Sequence, residues 1–88
     1  NIASYSLLTH ILAKHCDLQA KEFVYYLGNS HIYDDHIKEL KQQILRKPYK
    51  LPKINIKNKY DNIEDYSIND IDLENYNSHN SIKMVMRK

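Results

Sequence analysis

Residues 2–16 (IASYSLLTHILAKHC) constrain the fold more than any other part of the sequence. We predict a helix here, in which Lys14 carries the only full charge and apolar residues lie on nearly every side. A helix that is apolar all round is normally buried in a large core or a membrane. The stretch is shorter than the roughly 20 residues of a membrane span, so we predict a buried central helix. Because 88 residues hardly suffice to bury such a helix, we expect a C-terminal piece of a longer protein.

Composition limits the classes that remain. The chain is 42% hydrophobic with a single glycine, which is typical of a globular domain or a piece of one. A net charge of +2 gives no argument by itself for a nucleic-acid partner. The only cysteine, Cys16, excludes an internal disulfide and a multi-cysteine zinc site. A reducing, cytoplasmic compartment without a membrane association is the simplest expectation.

The other elements follow from hydrophobic periodicity. Residues 22–27 (EFVYYL) form an apolar and aromatic run that predicts a strand covered on both faces. Gly28 interrupts the run. The remaining predictions are an amphipathic helix from Asp34 that Pro48 ends, half-exposed strands at 53–57 and 70–74, a helical turn at 63–66, and an extended tail from Ile82. The fold class is therefore α+β.

His31 and Tyr33 are the main candidate site. Residues i and i+2 of an extended backbone point to the same face, so the imidazole and the phenol aim together at one small polar group. The pair follows the glycine-containing break, where a backbone can change direction. Both groups are uncharged hydrogen-bonding side chains with apolar bodies, which suits a sugar hydroxyl.

Other candidate chemistry is weaker. Cys16 is not expected to be a nucleophile, because its neighbour His15 does not face it on a helix. The five histidines show no metal-ligand spacing, so no metal site is predicted. The acidic residues between 64 and 74 lack the pattern of a calcium loop and are predicted to form a solvated face. The basic stretch 46–50 could hold a phosphate backbone, but such cations are expected on any helix surface, and an ordinary surface is the preferred interpretation.

Five stretches in register resemble thymidylate synthase, and they are distributed along the whole chain. They are NIASY at 1–5, HCDL at 15–18, LGNSHIYDDH at 27–36, KP at 47–48 with LPK at 51–53, and YNSH at 76–79 with IKM at 82–84. The resemblance implies that residues 1–88 are the C-terminal part of a catalytic domain, roughly its last third. It also implies the fold of that family, with a buried central helix and an amphipathic helix against a large mixed β-sheet.

The resemblance implies a function and a partial site. The family methylates deoxyuridylate (dUMP) to thymidylate with 5,10-methylenetetrahydrofolate as carbon donor and reductant. Its nucleophilic cysteine belongs to a motif upstream of this segment, so no catalytic residue is expected here. Asn1 resembles the asparagine that reads the uracil edge, and His31 and Tyr33, with Ile32 between them, resemble the pair that binds the deoxyribose 3′-hydroxyl.

The tail departs from the family pattern. The family usually ends in small or apolar residues that close over the folate, whereas this chain ends in Met86-Arg87-Lys88. Arg87 falls where a tail residue contacts the folate. Asn75 and Ser78 also stand where many members have glycine and proline.

The expected partners are therefore dUMP, folate and a second copy packed through the β-sheet. Whether a dihydrofolate reductase domain is fused upstream stays open from the sequence. Two alternatives stay open from the sequence alone. One is a catalytically weak, synthase-like protein that binds nucleotide or RNA. The other is a small stand-alone basic α+β module.

Overall fold

The computed structural model of the chain describes residues 1–86 and contains helices and a small sheet. The elements in order are α1 (Ile2–His15), a 3-10 turn (Asp34–His36) continued by α2 (Ile37–Ile44), β1 (Lys53–Ile56), two further 3-10 turns (Ile63–Asp65 and Ile68–Asp70) and β2 (Ile71–Glu74). The predicted α+β class is confirmed. No helix among the described residues is long and apolar enough to cross a membrane.

Helix α1 has well-defined ends. The backbone N–H of Tyr5 donates to the carbonyl of Asn1 at 3.1 Å, so Asn1 takes the N-cap position. At the other end Asp17 adopts a positive φ of 56°, and the N–H of Leu18 donates to the carbonyl of Ala13 at 2.8 Å. This is a Schellman C-cap with aspartate in the position that glycine usually occupies. The observed bounds match the predicted helix within one residue.

Within the described residues, α1 packs against β1 but has no buried residue. Its apolar side chains remain accessible on several sides, including Ile2 at 56% and Leu12 at 46%. The predicted burial of this helix is therefore not provided by residues 1–86. Burial of α1 stays a prediction about the larger protein.

Residues 18–33, named here the extended segment, contain neither helix nor strand. A strand over 22–27 was predicted from its apolar run, but none forms here. The reason is that a strand needs a neighbour for its backbone N–H and C=O groups, and no described residue pairs with this segment in a ladder. The large mixed sheet therefore also remains a prediction.

The sheet has two antiparallel strands in the described part of the chain. Ile54 pairs with Leu73, and Ile56 pairs with Ile71. Alternate residues of a strand share a face, so these apolar side chains form one side of the ribbon. Ile56, the last residue of β1, is the most buried of them at 7% exposure. Both predicted strands are confirmed. The exposure of side chains alternates along β1 as predicted, but it does not alternate along β2, where Ile71 and Asp72 are half-buried and Leu73 and Glu74 are exposed.

The surface is far larger than that of a compact domain. Its accessible area is 8350 Å², whereas a compact monomer of 10.5 kDa exposes about 5,400 Å². The radius of gyration is 16.8 Å, against about 12 Å for a compact chain of this length. The extra area of about 3,000 Å² is larger than the area that one partner contributes to most obligate interfaces. Many large apolar side chains of the chain are exposed.

Candidate functional site

The candidate site begins at a bend in the extended segment. The N–H of Ser30 donates to the carbonyl of Gly28 at 3.0 Å. Gly28 does not have a positive φ, and a Cβ atom placed on it would meet nothing within 4 Å. The bend itself therefore does not require glycine among the described residues.

After the bend, His31 and Tyr33 come together as their spacing predicts. Their ring centroids lie 5.5 Å apart with an interplanar angle of 74°, an edge-to-face contact. Both residues and the intervening Ile32 are exposed. The polar atoms of the two rings are thus accessible to a ligand, and the contact between the rings limits their freedom.

His36 extends this pair into a row of three rings. Its centroid lies 5.5 Å from that of Tyr33 at an interplanar angle of 87°. Its Nε2 atom lies 2.7 Å from the carbonyl oxygen of Val85 and 4.0 Å from Oδ1 of Asp35. The side chain of His36 is only 16% exposed, so it is the most enclosed part of this row.

Asn1 lies at the start of α1, and its side chain makes no capping hydrogen bond. Its amide therefore stays available for a ligand. No described contact joins Asn1 to His31 or Tyr33, so a shared site for the three residues stays a prediction. Arg87, the predicted folate contact, lies outside the described residues.

Cys16 is a free, exposed thiol at the C-cap of α1. Its exposure differs from the predicted place at the end of a buried helix, since residues 1–86 leave α1 uncovered. Among these residues no group of three or more His, Cys, Asp or Glu side chains is placed to hold a metal ion.

A second polar cluster centres on Asp70 and corrects the prediction of a wholly solvated acidic face. Asp70 is only 4% exposed. Oδ1 accepts hydrogen bonds from the amide of Asn58 and the hydroxyl of Tyr60, both at 2.7 Å. Oδ2 accepts from the backbone N–H and the hydroxyl of Ser67, at 2.9 and 3.0 Å. We call these four residues the Asp70 cluster.

These hydrogen bonds shift the pKa values of the groups that they join. The hydrogen bonds from Asn58, Tyr60 and Ser67 stabilise the ionised carboxylate and hold the pKa of Asp70 well below its usual range. The same contact raises the pKa of Tyr60, because its proton is donated to a carboxylate. A hydrogen bond from Lys59 likewise lowers the pKa of Asp17, and this pair joins the end of α1 to the loop after β1.

Three open clefts lie away from the ring row, along α1. The largest of these, about 330 Å³, is lined by residues of α1, the extended segment and β1, including His10 and Lys14. The others, about 200 and 270 Å³, share Ser6 and His10. Asn1, His31 and Tyr33 line none of the three.

Comparison with known proteins identifies the family. The thymidylate synthase family model matches residues 1–88. The chain belongs to the thymidylate synthase family. The resemblance predicted from the five stretches is thereby confirmed.

Several relatives carry the same name. Thymidylate synthase of Saccharomyces cerevisiae is 46% identical over 98% of this chain and 28% of its own length. That of Buchnera aphidicola is 50% identical over 93% of this chain and 31% of its own length. The bifunctional dihydrofolate reductase-thymidylate synthase of Plasmodium berghei is 46% identical over 98% of the chain and 15% of its own length. The chain thus spans less than a third of each of these relatives.

Sequence reasoning missed two features of this region. The Asp70 cluster had a local signal, since Ser67 and Asp70 have the spacing of a capping box. The contact between His36 and Val85 had none, because the two residues are 49 positions apart.

Proposed function

We propose that residues 1–88 are the C-terminal part of a thymidylate synthase catalytic domain. The full protein would convert dUMP to thymidylate with 5,10-methylenetetrahydrofolate. The observation that carries this proposal is the match of the family model to the whole chain. The paired rings of His31 and Tyr33 support it, because they present two neutral hydrogen-bonding groups side by side.

The proposed role of His31 and Tyr33 is to hold the 3′-hydroxyl of the deoxyribose. A hydroxyl both donates and accepts, and a neutral imidazole with a phenol offers complementary groups. Ile32 contributes its backbone between the two side chains. Because the edge-to-face contact already restricts both rings, they lose little further conformational freedom when the sugar binds. This favours a fixed position for the sugar.

The proposed role of Asn1 is to select uracil. A carboxamide donates to O4 of uracil and accepts from N3–H, whereas cytosine presents the opposite pattern at both atoms. A mismatch of this kind leaves buried polar groups unpaired and is strongly disfavoured. The free amide of Asn1 at the N-cap supports this assignment, because it is not occupied by the helix.

The nucleophile would come from outside residues 1–88. A cysteine upstream would add to C6 of the ring and make C5 nucleophilic. The folate would supply the methylene carbon and the reducing equivalents. Residues of this chain would orient the nucleotide, and the tail would close over the folate. The exposed apolar side chains of Met84, Val85 and Met86 suit a flat, partly apolar ring system, and Arg87 is the proposed polar contact.

The remainder of the domain would cover the open surface of this chain. The excess area of about 3,000 Å² on this chain is more than one partner contributes to most obligate interfaces. We propose that upstream residues surround α1 and pair with residues 22–27, which would complete the large sheet and the homodimer across it. A reductase fused upstream is proposed because bifunctional relatives match the chain. The free thiol of Cys16 is consistent with a reducing, cytoplasmic location.

The test uses the full-length protein. Tritium at C5 of dUMP should be released as water only when methylenetetrahydrofolate is present. Absence of release from a folded, dimeric full-length protein would disprove the enzymatic proposal.

A further inference from the structure

The last described residues lie beside α2 and are held near its C-terminal end. We call residues 79–86 the tail segment. Nη1 of Arg46 donates to the carbonyl of Asn80 at 2.7 Å. Nε2 of His79 donates to the carbonyl of Lys47 at 2.9 Å, and its ring stacks on Tyr49 with centroids 4.3 Å apart and an angle of 24°. The tail segment therefore starts from a fixed point just beyond the C-terminal end of α2.

The other fixed point is His36, at the opposite end of the same helix. A carbonyl oxygen only accepts, so Nε2 of His36 must donate in its 2.7 Å contact with Val85. From residue 36 to 46 a helix rises about 15 Å. The five residue-to-residue steps from Asn80 to Val85 span about 17 Å when the chain is fully extended. The two lengths are similar, so a chain held at Arg46 is long enough to reach His36.

His36 also belongs to the row of rings that includes Tyr33 and His31. One side chain therefore contacts the proposed sugar-binding pair through its ring and the tail segment through its Nε2 atom. We propose that His36 is a positioning residue that fixes the tail segment beside the nucleotide. The inference rests on the proposed function, because the tail acts on the folate there.

Two substitutions in the full-length enzyme separate the contacts of His36. His36→Phe keeps an aromatic ring against Tyr33 but removes the donor to Val85. His36→Gln keeps an N–H donor but removes the ring. Loss of one hydrogen bond corresponds to roughly a fivefold change in an equilibrium constant.

We expect His36→Phe to raise the KM for methylenetetrahydrofolate roughly fivefold and to leave the KM for dUMP within about twofold. His36→Gln should keep the folate KM near that of the wild type. Gln42→Ala, an exposed uncharged position on α2, is the matched control and should change neither constant. A rise in the dUMP KM alone for His36→Phe would assign His36 a purely structural role beside Tyr33 and overturn the proposal.

A second measurement does not depend on activity. Trypsin cleaves after Lys83, which lies between the two anchors, and the rate of cleavage reports how often the tail segment detaches. We expect His36→Phe to be cleaved roughly fivefold faster than the wild type and Gln42→Ala at the wild-type rate, as followed by mass spectrometry. Equal rates for His36→Phe and the wild type would show that His36 does not hold the tail segment and would overturn the proposal. If the wild type were inactive but His36→Phe were still cleaved faster than the wild type, the proposed function would be rejected and the role of His36 in holding the tail segment would be supported.

Discussion

The polar groups of the Asp70 cluster are hydrogen-bonded to one another. The apolar side chains of residues 1–33, named here the open region, are instead exposed to solvent. Each carboxylate oxygen of Asp70 accepts two hydrogen bonds from residues within twelve positions of it. The open region has its apolar side chains accessible, with Tyr26 exposed to 89%. Polar groups that lie close in sequence can satisfy one another locally, whereas a long apolar surface needs cover from distant parts of a protein. The contrast indicates that the Asp70 cluster is satisfied by contacts within residues 1–86, whereas the apolar side chains of the open region are not covered by them.

The strongest test of this contrast is the isolated chain of 88 residues. We expect no cooperative thermal unfolding by calorimetry, because the open region leaves too much apolar surface in water to offset the entropy of folding. The full-length protein, as the control, should melt cooperatively. A cooperative melt of the isolated chain would show that the open region folds without cover and would revive the stand-alone module.

The next largest effect is expected at Asn1, the first residue of the open region. Asn1→Asp in the full-length protein should lower the preference for uracil over cytosine nucleotide by roughly 100-fold, because the amide that distinguishes the two patterns is lost. The measurement is the ratio of kcat/KM for dUMP and deoxycytidylate. An unchanged ratio would mean that the amide of Asn1 does not distinguish uracil from cytosine.

Smaller effects are expected at His31 and Tyr33. Tyr33→Phe and His31→Ala should each weaken dUMP binding by roughly fivefold, the worth of one neutral hydrogen bond. Titration calorimetry of the full-length protein measures this. Tyr26→Phe, in the same segment, is the control with no expected effect.

A nucleotide lacking the 3′-hydroxyl sharpens the assignment of the pair. It should bind equally to the wild type and to Tyr33→Phe, because the group that the phenol contacts is missing. A fivefold difference that persists with this analogue would place the phenol elsewhere on the nucleotide.

The Asp70 cluster predicts an effect on pH dependence. Its folded-state pKa is depressed, so the stabilisation is fully present above the unfolded value of about 3.9. It is lost as pH falls below that value through the folded pKa. The urea midpoint of Asp70→Asn should therefore lie below that of the wild type at pH 7, and the gap should narrow below about pH 3.9.

Asp61→Asn, at an exposed position, is the control for this experiment and should show no such gap. A gap for Asp70→Asn that is equally wide at both pH values would mean that ionisation of Asp70 contributes nothing to stability.

The smallest expected effect is at Gly28. Gly28→Ala should leave the melting temperature of the full-length protein unchanged or slightly raised, because φ is not positive and no described atom lies near the new Cβ. A clear fall in melting temperature would show that upstream residues pack on this bend. That result would identify the bend at Gly28 as one place where upstream residues pack against the open region.

Local patterns predicted most of the elements. α1, β1 and β2 agree with their predicted bounds within one residue, because their periodicity and caps are encoded by neighbours in sequence. The second helix instead begins as a 3-10 turn at Asp34 and ends at Ile44, ahead of Pro48. The strand predicted at 22–27 depends on a pairing partner that residues 1–86 do not provide.

The sequence alone determined the family and the paired placement of His31 and Tyr33, because motif order and i, i+2 geometry are properties of the chain itself. Only the tertiary structure decided that Asp70 is buried and that His36 contacts Val85. Burial and long-range hydrogen bonds depend on which distant segments meet, and this follows from packing the whole chain rather than from any local pattern.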